Sequence, residues 1–390
     1  MTNLHGARRV FATISMFVLL SASAVAMKWP WQREAAPKAA QPPVAPAVQS
    51  NGLPPADDTA RFLAGMPLPK NSPLAPLTGD PAWVEHSTNF EKAFAKLNTR
   101  QLVKLHAWEA QYFAEAQEHI PVVFYMFSGP DFLYVDQFFP KADVYILCGK
   151  ESLGPPPDPL RIGNLSAALH NLEDAMHSSL RFSFFITKDM KVNLQTQELK
   201  GTIPILYVFL ARAGKSIKDV TYGSLNSGGE FQPSRPGSGG TPGVRIQYSD
   251  YHSSHQQTLY YFTTDISDGG ISSSPGFLRF CDKFGVGASF LKSSSYLMFE
   301  SGFNRVRDFI LTHSKTIAQD DAGIPLSYFN RDKWNIRVFG NYAGPIEIFK
   351  QHYQPKLAEM YQQSGPPALD FNFGYRWKRE ESNLIIASRL

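Results

Sequence analysis

The chain has 390 residues, of which 43% are hydrophobic and 18% charged, and its formal net charge at pH 7 is +4. This many apolar residues can bury a large core, and a near-neutral chain without a lysine and arginine cluster excludes nucleic acid as an expected partner. The two cysteines, Cys148 and Cys281, are too few for a structural zinc site; they could form one disulfide in an oxidising compartment, or stay buried as free thiols.

Residues 1–26 have the pattern of a secretory signal peptide. Arg8 and Arg9 precede an apolar run over residues 10–20, and three small residues at 24–26 follow it. A signal peptidase accepts small side chains at such a site, so we expect cleavage after residue 26 and a periplasmic or secreted protein. The apolar run is shorter than the ~20 residues that span a bilayer, so no permanent membrane span is expected. The arginine pair fits both the general secretory route and the twin-arginine route.

A segment rich in proline and alanine, residues 27–58, follows the signal peptide. It has too few large apolar side chains to offset the entropy of ordering the chain, which predicts a disordered tether. We therefore expect a single folded domain over residues 59–390. Its first long helix is predicted over residues 81–118, where apolar residues fall three or four positions apart, with a break near Asn98.

The rest of the chain alternates between predicted strands and helices, assigned from their periods of two residues and of three to four residues. Strands are predicted for residues 121–127, 142–148, 216–225, 244–248 with 257–264 as a hairpin, 294–299, 315–319, 334–340, 369–377 and 383–387. Helices are predicted for residues 165–180, 303–310 and 354–362, and either a helix or a buried strand for residues 203–213. Residues 226–243, rich in glycine, serine and proline, are predicted to form a mobile loop.

These elements predict one three-layered α/β domain. The strands at residues 121–127 and 142–148 flank a helix and are continuous apolar runs, as in a parallel sheet that helices cover on both faces. The segments 369–377 and 383–387 form a predicted antiparallel pair at the end of the chain. The predicted fold class is therefore α/β, with a mixed sheet that is parallel and Rossmann-like in its centre and antiparallel at its C-terminal edge.

The turn after the first predicted strand, Ser128-Gly129-Pro130-Asp131, is where dinucleotide-binding folds carry a glycine-rich phosphate site. This turn has one glycine, a proline that lacks a donor, and a carboxylate that repels phosphate, so a phosphate site is disfavoured. Glu151 follows the second strand 22 residues after Gly129, near the spacing of a ribose-binding acid. Gly129, Asp131 and Glu151 are thus candidate ligand-binding residues, in an architecture distantly similar to Rossmann and methyltransferase-like folds, with no cofactor assigned.

Adjacent carboxylates follow the predicted strand at residues 315–319. Asp320 and Asp321 lie at its carboxyl end, and Asp131 shares that edge of the sheet if the strands are parallel neighbours. Such a cluster can serve as general acid and base or hold a hard cation, and the alternative is that these residues cap turns and helices. Asp131, Asp320 and Asp321 are therefore the candidates for a catalytic role.

Two further patterns bear on metal binding and on serine chemistry. Asp250, His252 and His255 lie at a predicted hairpin turn and could ligate a transition metal, although a solvated polar turn is the favoured interpretation. Ser289 and Lys292 match the S-x-x-K pattern of serine enzymes that act on penicillins. The further motifs that such enzymes require do not follow in order, so we interpret this match as a coincidence.

Several runs of the sequence resemble a group of secreted bacterial proteins without an assigned function. These runs are YMFSGPDFLYVDQFFP, SYLMFESGFNRVRDFIL, QDDAGIPLSYF, FGNYAGPI and FGYRW, and the likeness covers most of the chain after residue 60. The resemblance implies export and a shared fold. It implies neither an activity nor particular site residues.

Two functions are compatible with the sequence. The first is a non-catalytic exported protein that binds a small ligand or an envelope protein, with the sheet edge near Asp131 and Asp320 as its recognition surface. The alternative is a carboxylate-dependent, hydrolase-like enzyme of the periplasm. That alternative requires at least two of the acidic candidates, Asp131, Glu151, Asp320 and Asp321, to converge in one cleft.

Overall fold

Ten strands in the described part of the chain form one mixed sheet. The computed structural model describes residues 54–113, 120–182, 198–235, 239–251, 253–376 and 378–390. The predicted signal peptide and most of the predicted tether therefore lie outside the described residues. The described part belongs to one compact unit of the chain. Within it, no helix combines the length and the apolar character needed to cross a bilayer.

The strands are β1 Val122–Tyr125, β2 Val144–Gly149, β3 Lys215–Leu225, β4 Phe231–Pro233, β5 Thr241–Asp250, β6 Gln256–Thr263, β7 Gly287–Leu291, β8 Ser314–Gln319, β9 Trp334–Gly340 and β10 Asn383–Arg389. Their order in the sheet is β4-β3-β5-β6-β2-β1-β7-β8-β10-β9. The central strands β6, β2, β1, β7 and β8 are parallel, whereas β5 is antiparallel to β3 and β6, and β10 to β8 and β9. The predicted fold class, an α/β mixed sheet with a parallel centre and an antiparallel C-terminal edge, is confirmed.

The order of the parallel strands reverses between β1 and β7. From β1 the chain adds β2 and β6 on one side, and from β7 it adds β8 on the other side. In open α/β sheets, ligands bind in the crevice at such a switch point, outside the carboxyl ends of the strands. Because β1 pairs directly with β7 through Val123 and Ala288, the loops that follow these two strands lie side by side.

Helices cover both faces of the sheet, and these helices are α1 Ala56–Leu63, α2 Pro81–Leu97, α3 Val103–Tyr112, α4 Phe132–Phe138, α5 Leu165–Phe182, α6 Ile203–Arg212, α7 Asp268–Ser273, α8 Gly276–Asp282, α9 Asn304–His313 and α10 Pro355–Ser364. In β1, Val123 and Tyr125 belong to the core layer that includes α1 to α6, whereas Val122 and Phe124 belong to the layer that includes α7 to α9. Side chains that alternate along a strand produce this division. A smaller cluster joins α10 to β9 and β10 through Leu357.

The long helix predicted over residues 81–118 is divided, as expected, near Asn98. A π-turn, Asn98–Leu102, separates α2 from α3, and such turns are a recognised interruption of α-helices. The last predicted residues of this helix, from 114 onward, lie outside the described part. The apolar run at residues 203–213, which fitted either a helix or a buried strand, is the helix α6.

The prediction of a strand at residues 294–299 is wrong. The strand lies earlier, as β7, and Leu297–Phe299 form a 3₁₀ turn. Ser293, Ser295 and Tyr296 have positive φ angles of 54°, 55° and 55°, which no extended strand contains. The apolar residues of this segment are therefore buried from a loop rather than from the sheet.

The prediction of a strand at residues 369–377 is also wrong. Leu369, Phe371 and Phe373 are buried, as the alternating pattern indicates. The segment nevertheless joins no ladder of the described sheet, because the amides of Asn372 and Phe373 donate to side-chain oxygens. The antiparallel partners of β10 are β8 and β9 instead.

The predicted limits of two flexible segments change. The loop predicted at residues 226–243 contains the short edge strand β4 and the start of β5. The helix α1 begins at Ala56, before the predicted end of the tether at residue 58. This helix is held in place because the Asp57 carboxylate accepts the backbone N–H of Ile217 in β3 at 2.8 Å.

Candidate functional site

Three charged side chains meet at the switch point, where the loops after β1, β7 and β8 come together. The ammonium of Lys292 lies 2.6 Å from Asp131 Oδ2, and only 2% of either residue is exposed. Burial lowers the pKa of this ammonium, and the charge of the fully buried Asp320 opposes that effect, as does the charge of Asp131. Tyr125, Asp131, Lys292 and Asp320 are called the switch-point cluster below.

The Asp131–Lys292 pair is held from both sides. The Tyr125 hydroxyl donates to Asp131 Oδ2 at 3.0 Å, and the Lys292 ammonium lies 3.5 Å from the centre of the Tyr134 ring, a favourable cation–π geometry. Burial nevertheless lowers the pKa of Lys292, and the charge of Asp131 acts in the opposite direction. The second carboxylate oxygen of Asp131, Oδ1, is buried and has no hydrogen-bond partner in the described part of the chain. Such an orphaned buried atom is uncommon and calls for an explanation.

The two adjacent carboxylates after β8 have separate partners. Both oxygens of Asp320 lie 3.2 Å from the backbone N–H of Ser293, which donates to them. Asp321 accepts from the Tyr296 hydroxyl at 2.6 Å and from Asn383 Nδ2 at 2.9 Å. Burial raises the pKa of Asp320 well above its usual range, the charge of Asp321 adds to this rise, and burial also raises the pKa of Asp321. Asp320 thus belongs to the switch-point cluster, whereas Asp321 supports the loop beside it.

The backbone after β7 is strained. Ser293, Ser295 and Tyr296 are the non-glycine residues with positive φ in the described part of the chain, and each such residue costs about 1–3 kcal/mol. The Ser293 hydroxyl oxygen is buried without a hydrogen-bond partner among the described residues. A strained loop with an orphaned hydroxyl therefore borders the cluster beside Asp320.

Aromatic side chains close the site above Asp320. Tyr296, Phe349, His352 and Tyr375 pack against one another with ring-centre distances between 4.9 and 6.5 Å, and they are called the aromatic cover below. These rings come from three loops, which follow β7, follow β9 and precede β10.

The loop that precedes β10 ties the aromatic cover to the strained segment. The Tyr375 hydroxyl donates to Ser293 O at 2.7 Å and accepts the backbone N–H of Ser295 at 3.1 Å. Gly374 has a φ of +72°, and a Cβ at this position would lie 2.2 Å from Asp320 Oδ2. Only glycine can therefore bring the backbone so close to the carboxylate.

The structure brings the predicted ligand-binding residues Gly129 and Glu151 together. A Cβ placed on Gly129 would lie 3.8 Å from Glu151 Oε2, and a Cβ on Gly149 only 2.3 Å from the same oxygen. The backbone amides in the turn are used internally, since Asp131 and Phe132 donate to Ser128 O and Pro130 O. This use of the amides agrees with the prediction that the turn disfavours phosphate.

Asp250 and His255, which were considered as metal ligands before a solvated turn was favoured, pair with other side chains. The Asp250 carboxylate pairs with Lys215 at 2.7 Å, and the His255 imidazole pairs with Asp143 at 3.1 Å. His252 lies outside the described residues. Within the described part of the chain, no group of three or more histidine, cysteine or acidic side chains could hold a metal ion.

Cys148 and Cys281 are both buried free thiols. Burial raises the pKa of each thiol well above its usual range, and the pKa of Cys281 is raised further by its proximity to Cys148. Of the two possibilities that the sequence left open, a disulfide and buried free thiols, the structure contains the free thiols.

Two members of the switch-point cluster were not among the residues predicted from the sequence, Tyr125 and the charged residue Lys292. In the sequence, Lys292 stood out only as the lysine of the S-x-x-K pattern. In enzymes with that pattern the lysine activates the serine, whereas the Ser289 hydroxyl here bonds to the Ser314 hydroxyl at 2.8 Å. Interpreting that pattern as a coincidence agrees with this geometry. A sequence signal for Lys292 did exist, because it is the first residue after a buried strand and thus lies at the carboxyl edge of the sheet.

Two hollows of the described surface lie away from the switch-point cluster. One, of about 590 Å³, lies beside α10 and is lined by residues such as Leu326, Phe329 and Met360. The other, of about 440 Å³, lies between α2 and α5 near Phe90 and Glu173. The acidic candidates therefore converge in the protein interior rather than in an open cleft.

Comparison of the chain with protein families, with curated proteins and with solved structures finds no match. The resemblance to secreted bacterial proteins without an assigned function stays a prediction, as does export.

Proposed function

We propose that this chain is an exported, non-catalytic binding protein whose ligand site is the switch-point cluster. The observation that carries the proposal is the Asp131 carboxylate, of which one oxygen pairs with Lys292 while the other is buried without a partner among the described residues. A buried carboxylate oxygen without a donor costs free energy that a bound ligand can recover by donating a hydrogen bond. Its place at the switch point of a parallel sheet supports the same interpretation.

The state of the carboxylates supports binding rather than chemistry. Asp131 is ion-paired, Asp320 accepts the Ser293 amide, and Asp321 accepts from Tyr296 and Asn383. A general acid and base must face the proton that each one transfers, with a pKa near the working pH. Carboxylates that are buried and already engaged position a ligand more readily than they activate water.

The surroundings of the cluster favour a small polar ligand that is uncharged and donates hydrogen bonds. The Lys292 charge is balanced by Asp131, so an additional ionic group would be buried without a counter-ion at considerable cost. A ligand hydroxyl or amide N–H would donate to Asp131 Oδ1, and Gly129, two residues before Asp131, lies near Glu151. The amides of the turn are occupied, which disfavours a phosphate group.

The test is to recover the ligand from the native protein. Protein isolated under mild conditions from the cell envelope is analysed by native mass spectrometry, and any small molecule released is identified and titrated back by calorimetry. We expect the molecule to be recovered unchanged, and Asp131→Asn and Glu151→Gln to weaken its binding about tenfold or more. Glu85→Gln, on an exposed position of α2, is the matched control and should bind normally.

A ligand that binds equally well to Asp131→Asn and Glu151→Gln contradicts the proposed site, as does the absence of any retained molecule. Asp131→Asn leaves the Lys292 ammonium without its counter-ion, so circular dichroism must first establish that this variant folds. Glu151→Gln keeps both partners of the Asp131–Lys292 pair, so the test stays decisive if Asp131→Asn does not fold.

The hydrolase-like alternative has one observation in its favour. The raised pKa of Asp320, which stands beside the ion-paired Asp131, resembles the separation that acid–base catalysts require. If this alternative is right, the purified protein consumes its co-purified ligand, and Asp320→Asn abolishes turnover while retaining binding. Recovery of unmodified ligand after prolonged incubation argues against it.

A further inference from the structure

We infer that residues 345–353 are a lid, and that Tyr296 and Tyr375 beneath it form a stacking platform for the ring of a ligand. This inference rests on the proposed function and deepens it, because it names the class of ligand and its route of entry. The lid contributes Phe349 and His352 to the aromatic cover, so that in the closed state its own rings occupy the platform.

The rings of the platform are nearly parallel. The Tyr296 and Tyr375 planes differ by 11° with centres 6.4 Å apart, and the His352 imidazole lies on Tyr296 at 5.2 Å with a difference of 10°. Phe349 contacts both tyrosines, at 4.9 and 5.6 Å. Parallel, offset stacking is the geometry with which aromatic side chains hold flat rings.

The platform is continuous with the switch-point cluster. The Tyr375 hydroxyl binds the backbone of Ser293, the same residue whose amide donates to Asp320. The hydroxyl oxygen of Ser293 is buried without a partner among the described residues, like Asp131 Oδ1. A ring on the platform would thus lie beside orphaned polar atoms that its substituents could reach.

Ring contacts hold the lid: in addition to those within the aromatic cover, His352 lies 4.9 Å from Phe299 and Tyr353 lies 5.6 Å from Tyr342, measured between ring centres. Its described backbone hydrogen bonds stay within the loop, such as Phe349 to Ile346 and Tyr353 to Lys350, and most of its residues are exposed. Its short 3₁₀ helix, Glu347–His352, is broken at Phe349. Segments with few buried apolar contacts and no ladder partners open locally at low free-energy cost.

The lid begins just after a glycine that is flanked by carbonyl groups held in hydrogen bonds. Gly344 precedes it with a φ of +78°, and the Arg376 guanidinium donates to the carbonyls of Ala343 and Pro345. The base of the lid is therefore anchored, whereas residues 346–353 make one described polar side-chain contact with another loop, from the His352 imidazole to Glu300 Oε1 at 3.8 Å. This arrangement suits a hinge between Gly344 and Ile346.

The ligand class follows from the platform and its neighbours. A flat or chair-shaped ring with an apolar face would stack on Tyr296 and Tyr375, and hydroxyl or N–H groups on its edge would serve the orphaned oxygens. Saccharide rings and nucleoside bases share this chemistry. Two probes distinguish these sources, diacetylchitobiose for the saccharides and adenosine for the nucleosides.

The first experiment measures the lid without any ligand, by hydrogen exchange. In the wild type we expect amides in residues 347–353 to exchange by local opening, at least about 100-fold faster than those of β1 and β2. Phe349→Ala should also accelerate exchange at residues 293–296, whereas Ile348→Ala, a change to an exposed neighbour in the same loop, should not. Lid amides that exchange only on global unfolding overturn the lid, as does unchanged exchange at 293–296 in Phe349→Ala.

The second experiment measures the platform, by titration calorimetry with both probes. We expect at least one probe to bind, and Phe349→Ala to bind it roughly tenfold more tightly if the wild-type lid is open about a tenth of the time. Tyr375→Leu should weaken binding about threefold or more, and Tyr375→Phe, which keeps the ring, should retain it. Ile348→Ala is again the control and should equal the wild type. The platform is overturned if neither probe binds Phe349→Ala, or if all variants bind equally.

The two proposals fail in different ways. A co-purified ligand that depends on Asp131 and Glu151 but binds Phe349→Ala and Tyr375→Leu like the wild type leaves the proposed function intact and overturns the lid and platform. A ring probe that depends on Tyr375 but not on Asp131 or Glu151 places binding on the platform and overturns the switch-point cluster as the ligand site.

Discussion

Among single residues, Lys292 determines most about the switch-point cluster, because its ammonium is the counter-ion that Asp131 pairs with in the interior. We expect Lys292→Met to lower the free energy of unfolding by about 3–5 kcal/mol, since the Asp131 charge is then buried without its partner. Urea denaturation measures the loss. Lys315→Met, which changes an exposed lysine on β8, is the control and should stay within about 0.5 kcal/mol of the wild type.

The double variant Asp131→Asn with Lys292→Met separates two explanations of that loss. If the cost is the unpaired charge, neutralising Asp131 restores much of the stability, because a buried ion pair contributes little compared with neutral groups of similar shape. A double variant no more stable than Lys292→Met shows that packing against Tyr134, rather than charge, is what Lys292 supplies.

A second residue-scale prediction concerns Asp136, at the opposite edge of the parallel strands. This carboxylate lies 3.0 Å from the Lys215 ammonium, yet burial outweighs that attraction and raises its pKa from 3.8 to about 6. Since the pKa is higher in the folded state, the unfolded state loses its proton first, and the free energy of unfolding falls as pH rises from about 4 to about 6. The full change is about 3 kcal/mol, and above pH 6 it is constant.

Asp136→Asn tests this pH dependence. Thermal unfolding followed between pH 4 and pH 6.5 should show a smaller decrease with pH in the variant than in the wild type. Asp370→Asn removes an exposed carboxylate and should follow the wild-type curve. Parallel curves for the wild type and Asp136→Asn would show that the attraction of Lys215 fully offsets burial, so that the pKa of this carboxyl is the same in the folded and unfolded states.

At the scale of elements, the loop before β10 closes the site through Gly374. We expect Gly374→Ala to destabilise the protein by about 2 kcal/mol or more beyond the cost of its positive φ, because the new methyl group meets the Asp320 carboxylate. The matched control is Gly365→Ala, which also has a positive φ, of 54°, but no atom within 4 Å of its Cβ position. That control should lose only about 1 kcal/mol in urea denaturation. Equal losses for the two variants would show that the contact with Asp320 is not tight.

Sequence periodicity predicted an element correctly where the residues with the burial pattern of a strand also pair as a strand in the sheet. The strands β1 and β2 are continuous apolar runs because both of their faces are covered, and buried and partly buried residues alternate over residues 244–248 of β5. The segment at residues 369–377 alternates too, but its side chains are buried from a loop whose amides bond to side chains. Burial pattern alone does not specify a ladder partner, which only the folded chain supplies.

At the scale of the whole molecule, the location of the site at the carboxyl edge of the sheet was predictable, but whether loops cover that edge was not. Parallel strands that end at one edge place Asp131 and Asp320 near each other, and the structure brings both to Lys292. Whether that edge is open or covered depends on loops distant in sequence, such as the one that carries Tyr375. Contacts between residues about 80 positions apart in the sequence leave no periodic signal, so the aromatic cover could not be inferred from the local sequence pattern.

The buried thiols allow a test of whether the described part unfolds as one unit. Cys148 lies in β2 and Cys281 lies in α8, and both are fully buried in the same core layer. If the sheet and its helices open together, both thiols should react with Ellman's reagent at one common rate, and that rate should show the urea dependence of global unfolding. The Cys281→Ser variant isolates Cys148, and the Cys148→Ser variant isolates Cys281. Different rates for the two thiols would reveal that the layer around α8 opens separately. If the denatured protein contains no thiol that reacts with Ellman's reagent, the two cysteines form a disulfide.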